Sequence, residues 1–237
     1  MSDRKRRLLS ARYTGGLTLI SITLLAVGCR LFAQNPQLHT RSGSTFPTVI
    51  FTSVLWTADP SYYSIAIDST GTATYQSAPA SIERTGVPYT VEFQVSDRTR
   101  RTAFNVTRQL DFFREPAGES LTSAQNSSVR TLAYHDSQLH NQVTYGASPD
   151  SEIEELTSVF EGISETLEFG RRLAHLHEHD RSALDGELDR LQTSADRRTL
   201  RELPVIAPIL LSIASDSRVE SASRDKAEAL LNRLPRH

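Results

Sequence analysis

The sequence predicts an α+β fold, in which an antiparallel sheet built from two strand-strand-helix units carries helices on one face and is followed by a helical C-terminal region. Between positions 48 and 145, large and small side chains alternate in short segments, as they do in half-buried strands. Apolar residues recur at helical spacing after each group of strands and then throughout the last third of the chain. Because groups of strands are followed by a helix, an antiparallel sheet with segregated helices is expected.

The first unit opens with a β-rich run and then a hairpin. Tyr63 to Ile67 alternates, Asp68-Ser69-Thr70-Gly71 reverses the chain, and positions 72–75 return. These turn residues superficially resemble the Asp-Thr/Ser-Gly of aspartic proteases, but an additional residue precedes the glycine. A tight turn is therefore the interpretation. Tyr89 to Val95 predicts a further strand.

A helix is predicted after the fourth strand. Ser96 and Asp97 offer capping oxygens, and five apolar residues then recur at helical spacing: Ala103, Phe104, Val106, Leu110 and Phe113. A second hairpin is predicted from Val129–Tyr134 and Asn141–Tyr145. Pro149 and Asp150 should open the next helix.

The C-terminal third is predicted to be helical. An apolar stripe steps by three and four through Ile153, Leu156, Phe160, Ile163 and Leu167, which suits a helix lying on the sheet. The pattern extends past Leu188 and leaves open whether this long helix breaks near Asp180. Two further helices are expected, from Pro204 to about Ala214 and from Val219 to Leu234. The first is so apolar that its neighbours should bury it.

The domain boundaries follow from these patterns. Residues 1–33 form a signal peptide or membrane anchor, 34–47 a flexible linker, 48–168 the α+β domain and 169–237 the helical extension. The linker is rich in Asn, Gln, Ser, Thr, Gly and Pro, a composition that buries too little apolar surface to fold.

The N-terminal segment has the layout of an export signal, with a basic head before an apolar run from Leu17 to Gly28. Three outcomes remain open. Leu25 to Cys29 resembles a bacterial lipobox, which would lipidate Cys29; cleavage after Ala33 would release a soluble protein; and an uncleaved segment would anchor the chain in the membrane. Each outcome predicts an exported protein, periplasmic or secreted, with membrane attachment in two of the three.

Composition excludes some classes. Cys29 is the only cysteine, so the predicted mature domain has no internal disulfide. Beyond position 33 the chain carries 20 basic and 27 acidic residues, a net charge of about −7. An acidic surface of this kind argues against a nucleic-acid partner.

The pattern Tyr63-x-Ile65-x-Ile67-Asp68-x-x-Gly71-x-x-x-Tyr75, then a strand, a helix ending at Phe112-Phe113, a second hairpin and a long helix, resembles a family of uncharacterised exported bacterial proteins. The resemblance extends from about Trp56 to Leu231. It implies the architecture and the envelope location, and it implies no activity.

Two histidine pairs are the candidates for chemistry. His175 and His179 lie one helical turn apart, a spacing that can clip a divalent metal ion through two imidazoles. His135 and His140 flank the turn of the second hairpin. No catalytic motif or phosphate loop is present, and no cofactor is predicted. The prediction is a non-enzymatic envelope module that binds a protein or a cell-wall component, or has a structural role. The alternative is a hydrolase or metal-dependent enzyme with a site assembled from distant residues.

Overall fold

The computed structural model describes residues 46–55, 58–78, 88–114, 128–146 and 150–234. These residues belong to one unit, Gly43–His237. The predicted signal segment with Cys29, and most of the predicted linker, lie outside the described residues.

In the part of the chain that the structure describes, six antiparallel strands form one sheet, so the α+β prediction is confirmed. The first of the two predicted strand-and-helix units contributes four strands, and the second contributes two. Their spatial order is β4-β3-β2-β1-β5-β6, and the bounds are β1 Thr48–Leu55, β2 Tyr62–Asp68, β3 Thr72–Ala78, β4 Tyr89–Gln94, β5 Ser128–His135 and β6 His140–Tyr145.

Strand β1 lies at the centre because it pairs with both hairpins. Phe51 is opposite Ile65 of β2 on one side and opposite Leu132 of β5 on the other. The consecutive buried residues Val49, Ile50 and Phe51 suit an interior strand. The β5–β6 hairpin therefore extends the sheet on the side of β1 opposite β2.

Within the described ranges, five helices follow or interrupt the strands, with the bounds α1 Asp97–Gln109, α2 Ser151–His179, α3 Leu184–Asp196, α4 Ala207–Ser215 and α5 Ser221–Asn232. The predicted caps are confirmed at α1 and α2. The Ser96 hydroxyl accepts from the Thr99 backbone N–H, and the Asp150 carboxylate accepts from the N–H groups of Glu152 and Ile153. These bonds satisfy donors that the first helical turn leaves without a partner.

Helices α1 and α2 cover one face of the sheet, which we call the core face. The Phe160 ring of α2 stacks on Phe51 of β1 at a centroid distance of 5.2 Å. Ala103 and Val106 of α1 join the same cluster. Most of the apolar stripe predicted for the long helix is buried here, including Ile153, Leu156 and Ile163.

The last third of α2 extends into a second apolar cluster. Phe169 and Leu173 pack there with side chains of α3, α4 and α5, among them Leu184, Leu188, Leu191, Leu210, Ile213, Ala227 and Leu230. Asp180 leaves the helical conformation at φ −148° and ψ 78°, so α2 ends at His179. A single 3-10 turn at Arg181–Ala183 then leads into α3.

The chain after α3 crosses α2 at close range. The Arg201 N–H donates to the Gly162 carbonyl at 3.1 Å, and the Thr166 hydroxyl donates to the Arg201 carbonyl at 2.7 Å. A β-carbon at Gly162 would lie 2.4 Å from the Thr199 carbonyl oxygen. Glycine is therefore required here for the backbones to approach.

Helix α4 is less buried than its composition predicts. Its first predicted turn is a 3-10 turn at Leu203–Ile206, and the helix starts at Ala207. Leu210 and Ile213 are buried, but Leu211 points outward and is 60% exposed. A helix at the edge of a small cluster buries one side only. None of the helices in the described ranges is long and apolar enough to cross a membrane.

Candidate functional site

His175 and His179 lie in the last turns of α2, as the spacing predicts. Their rings stack with centroids 4.5 Å apart and an interplanar angle of 23°. His179 Nδ1 lies 3.0 Å from the His175 carbonyl oxygen, so this nitrogen is engaged with the helix backbone. Each ring can supply one ligand, so the pair offers two, whereas zinc sites normally use at least three protein ligands. The metal site proposed for this pair stays a prediction.

His177 points away from that pair and joins a charged cluster. Its Nε2 lies 3.0 Å from an oxygen of Asp216, in the loop between α4 and α5. Arg218 binds the same carboxylate through its side chain and its backbone N–H, and Arg181 lies 3.6 Å away. Hydrogen bonds from Arg218, and then from His177, hold the pKa of Asp216 well below its usual range. The cluster fastens the end of α2 to the terminal hairpin.

His135 and His140 are direct cross-strand neighbours at the end of the β5–β6 hairpin. Their ring centroids are 5.1 Å apart. Burial, and then the neighbouring His140, lower the pKa of His135. Asp136 is occupied in the turn, where it accepts from the N–H groups of Gln138 and Leu139. Within the described ranges, no group of three or more His, Cys, Asp or Glu side chains could hold a metal ion.

A polar row crosses the core face at one end of the sheet. Six cross-strand neighbours form this row: Tyr89, Ser77, Tyr63, Ser53, Arg130 and Tyr145. It faces polar side chains of α2. Buried groups of this kind are stable only when they are hydrogen-bonded, so their partners decide whether they can do chemistry.

Glu168 is the centre of the buried network. Glu168 is only 3% exposed, and its carboxylate accepts hydrogen bonds of 2.8 Å from both the Tyr75 and Ser77 hydroxyls. The Arg171 guanidinium donates to its second oxygen at 2.6 Å. Three of the roughly four acceptor positions of this carboxylate are thus occupied within the fold, which disfavours a role as a general base.

At the other end of the row, the polar side chains are also hydrogen-bonded within the fold. Arg130 donates to Glu161 at 2.9 Å and to the Gly146 carbonyl at 2.7 Å. The Tyr145 hydroxyl bonds to Thr157, which donates in turn to the Ile153 carbonyl.

The tyrosines in and beside this row are held neutral. Burial raises the pKa of Tyr63 and Tyr75 far above the ordinary phenol value, and the charges of Glu161 and Glu168 raise them further. A phenolate is therefore disfavoured at both positions. The network suits a structural layer better than an acid-base site.

A groove of about 360 Å³ lies between α2 and α3, lined by Phe169, Asp189, Arg190, Thr193, Ser194 and Arg197. Most of its polar groups already have partners. Asp189 pairs with Lys226 at 2.6 Å, Ser194 with Glu165 at 2.8 Å, and Arg190 with the buried Glu187 at 2.9 Å. No constellation of free groups converges on this groove.

The other face of the sheet, which we call the helix-free face, carries the side chains that alternate with those of the core face. None of the helices in the described part of the chain packs against it. Its residues fall into cross-strand rows. One row is Thr90, Gln76, Ser64, Thr52, Thr131 and Thr144; the next is Glu92, Thr74, Ala66, Ile50, Ala133 and Gln142; and the third is Gln94, Thr72, Asp68, Thr48, His135 and His140.

The helix-free face changes character from its centre to its edges. On the central strands, Ile50, Ser64 and Ala133 are buried, with at most 6% of each residue exposed. On the outer strands Glu92, His140 and several Thr and Gln side chains are exposed. Cross-strand bonds order the hydroxyls, as between Thr131 and Thr144 at 3.0 Å. The exposed polar side chains of this face therefore lie on its outer strands.

In comparisons with known proteins, no family model matches the chain and no curated protein matches it.

Sequence reasoning did not single out Glu168, Glu187 or Glu202. The Glu202 carboxylate accepts from the Ser96 N–H and hydroxyl, which ties the start of α1 to a segment 106 residues later. In the sequence, the feature that could have indicated a buried polar site is an isolated acidic residue inside an apolar stripe, as at Glu168. The residues that bind these carboxylates are distant in sequence, so no local pattern indicates them.

Proposed function

We propose that this chain is an exported cell-envelope protein that acts as a non-enzymatic binding module and holds a partner protein on the helix-free face. The observation that carries the proposal is the contrast between the two faces of one sheet. Helices α1 and α2 cover the core face, whereas no described helix packs on the other. A sheet face on which no described helix packs, and whose outer strands expose polar side chains, is a suitable platform for a partner.

The composition of this face supports protein recognition. Its exposed side chains are polar and lie on the outer strands, among them Glu92 and Gln94 on β4 and Gln142 and Thr144 on β6. Polar side chains of this kind form the rim of protein interfaces, where they hydrogen-bond the partner.

The state of the polar clusters also favours binding over catalysis. The carboxylates of Glu168, Glu187 and Asp216 are each held by donors within the fold. The N-terminal basic head and apolar run support the envelope location. Attachment through a lipid on Cys29, or through an uncleaved apolar segment, would keep the module at the membrane.

A site-specific photo-cross-linking experiment tests this proposal. A photoreactive residue replaces exposed Thr144 on the helix-free face, and in a matched variant it replaces exposed Ser158 on α2. Irradiation of the native host should give a reproducible protein adduct from position 144 and none from position 158. Equal adducts from both positions, or none from either, would contradict the proposal. An adduct removed by cell-wall hydrolases would identify a cell-wall component instead of a protein.

A further inference from the structure

We infer that arginines on the outer side of α1 rest on anionic phospholipid headgroups, as a second membrane contact beside the N-terminal segment. This inference rests on the membrane attachment in the proposed function and does not depend on the partner protein. Three features support it: the position of the arginines in the fold, their unpaired charge, and the point where the chain enters the domain.

Three arginines lie along the exposed side of α1, and we call them the basic stripe. Arg98, Arg101 and Arg108 are three and seven residues apart, so they share one side of the helix. All three are exposed, as is Asn105 between them. The opposite side of α1 is buried in the core, for example at Ala103. The basic stripe therefore faces away from the sheet.

Helix α1 lies along the end of the sheet at which β1 begins. Its first turn contacts the β2–β3 turn, because Arg100 donates to the Ser69 carbonyl at 3.2 Å. Just after its last turn, Phe112 packs on Tyr134 near the β5–β6 turn, at a centroid distance of 4.8 Å. These two turns flank the start of β1. The basic stripe thus crosses this end of the domain.

The charges of the basic stripe are not paired within the fold. Arg101 donates to the Asp97 carbonyl at 3.1 Å, and Arg108 donates to the Asn105 side-chain oxygen at 3.1 Å. Both acceptors are uncharged. No carboxylate of the described ranges forms an ion pair with Arg98, Arg101 or Arg108.

The carboxylates near the basic stripe have other partners. Asp97 pairs with Arg100 at 3.0 Å, and Asp111 lies 3.7 Å from Arg114. Three further carboxylates at this end of the sheet accept hydrogen bonds within the fold: Asp68, Asp136 and Glu202. Guanidinium groups bind phosphate oxygens through paired hydrogen bonds, so the unpaired arginines suit a surface of phosphate headgroups.

The chain enters the domain at the same end. The carbonyl of Pro47, directly before β1, accepts a hydrogen bond of 2.8 Å from the Ser69 N–H, so one turn separates the entry point from α1. A membrane-attached N-terminal segment reaches this point through residues 34–45, which span at most about 43 Å when fully extended. The membrane is therefore within reach of the end that carries the basic stripe.

A contact of this size is effective beside a tether. Each arginine near an anionic surface strengthens binding about fivefold, so three give on the order of a hundredfold. That gain holds a free protein only weakly, but a tether supplies a high local concentration of headgroups. An acidic protein would also match the charge, whereas only the membrane is brought to the basic stripe by the chain itself.

Photo-cross-linking to lipid tests the inference. The full-length protein, purified from the membrane fraction of its host, is reconstituted into vesicles of phosphatidylcholine alone or with about one-third phosphatidylglycerol. A photoreactive residue replaces Asn105 in the basic stripe, and in a matched variant it replaces exposed Ala229 on α5. Phospholipid adducts are measured by mass spectrometry. Position 105 should give about tenfold more adduct on the anionic vesicles, and position 229 should give little on either.

Substitution of the arginines tests the role of charge. Arg98→Gln, Arg101→Gln and Arg108→Gln combined should lower the adduct on anionic vesicles to the level on neutral ones. Salt at about 1 M, where the Debye length is about 3 Å, should do the same. Arg→Lys at the same three positions is the matched control, and it should keep most of the adduct. All three positions are exposed, and glutamine and lysine both favour helices, which limits any effect on folding.

Several results would overturn the inference. Equal adducts on neutral and anionic vesicles would do so, as would adducts that the glutamine substitutions leave unchanged. In the native host, a protein adduct in place of phospholipid at position 105 would show that an acidic protein covers the basic stripe. Recovery of the chain only from the soluble fraction would remove the tether. The proposed partner on the helix-free face is tested separately, by the adduct at position 144.

Discussion

The Tyr75 hydroxyl on β3 donates a hydrogen bond of 2.8 Å to the buried Glu168 carboxylate on α2, and so fastens the long helix to the sheet. Ser77 and Arg171 complete the same site. We expect Glu168→Ala to lower the free energy of unfolding by roughly 3 kcal/mol, because the buried donors lose their acceptor.

Urea denaturation followed by circular dichroism measures this loss. Glu155→Ala is the control, since Glu155 is exposed on the same helix and should have little effect. A loss at Glu168 no larger than at Glu155 would contradict the structural role assigned to the network.

Burial of Tyr75 predicts a dependence of stability on alkaline pH. Its pKa is raised in the folded protein, so the unfolded chain loses its phenolic proton first, near pH 10. The stability linked to this proton is complete below about pH 10 and is lost as the pH rises toward the folded pKa. Tyr75→Phe should therefore show a shallower alkaline loss than wild type in urea midpoints measured across this range. Parallel losses in both proteins would exclude the linkage.

The depressed pKa of Asp216 predicts that stability is lost as the pH falls, whereas the stability linked to Tyr75 is lost as the pH rises. Its folded pKa is depressed, so its contribution is present above the ordinary carboxyl pKa of about 3.9 and is lost as the pH falls below that value. Asp216→Asn should flatten the acid limb of the stability profile. Asp225→Asn, at an exposed position of α5, should leave the limb unchanged. An unaltered acid limb in Asp216→Asn would show that the cluster is not linked to folding.

The close crossing at Gly162 predicts a steric effect. Gly162→Ala places a β-carbon 2.4 Å from the Thr199 carbonyl oxygen, so the backbones must separate. We expect a loss of about 1 to 3 kcal/mol in thermal or urea unfolding. Gly186→Ala is the matched control, because nothing lies within 4 Å of that position in α3 and alanine favours the helix. Similar effects at the two glycines would contradict the close approach.

Zinc binding by His175 and His179 is expected to be weak. Only two imidazoles are available, and one nitrogen of His179 lies against the helix backbone. Zinc added to the protein should be lost on dialysis, and His175→Ala should not change the residual content measured by atomic absorption. Stoichiometric zinc that survives dialysis in wild type and is absent from His175→Ala would establish a real site.

Local patterns in the sequence were sufficient to predict the elements. The alternation around Asp68 to Gly71, the caps at Ser96 and Asp150, and the apolar stripe of α2 each depend on residues within a few positions of one another. When one face of a strand or helix is buried, apolar residues recur with a period of 2 or 3.6 residues, and this repeat is visible in the sequence. For the same reason the fold class could be predicted, whereas the end of α2 at His179 could not, because Asp180 is compatible with a helix or a break.

The contacts that form the candidate sites could be identified only from the tertiary structure. The sequence by itself determined which segments are strands and helices, and that the histidines of α2 are one turn apart. The export signal that it also predicts lies outside the described residues. Only the tertiary structure decided that His177 meets Asp216, that Glu168 accepts hydrogen bonds from Tyr75 and Ser77, and that no helix of the described ranges packs on one face of the sheet. Contacts across tens of residues depend on strand order and chain crossing, and these are set by burial of the whole core.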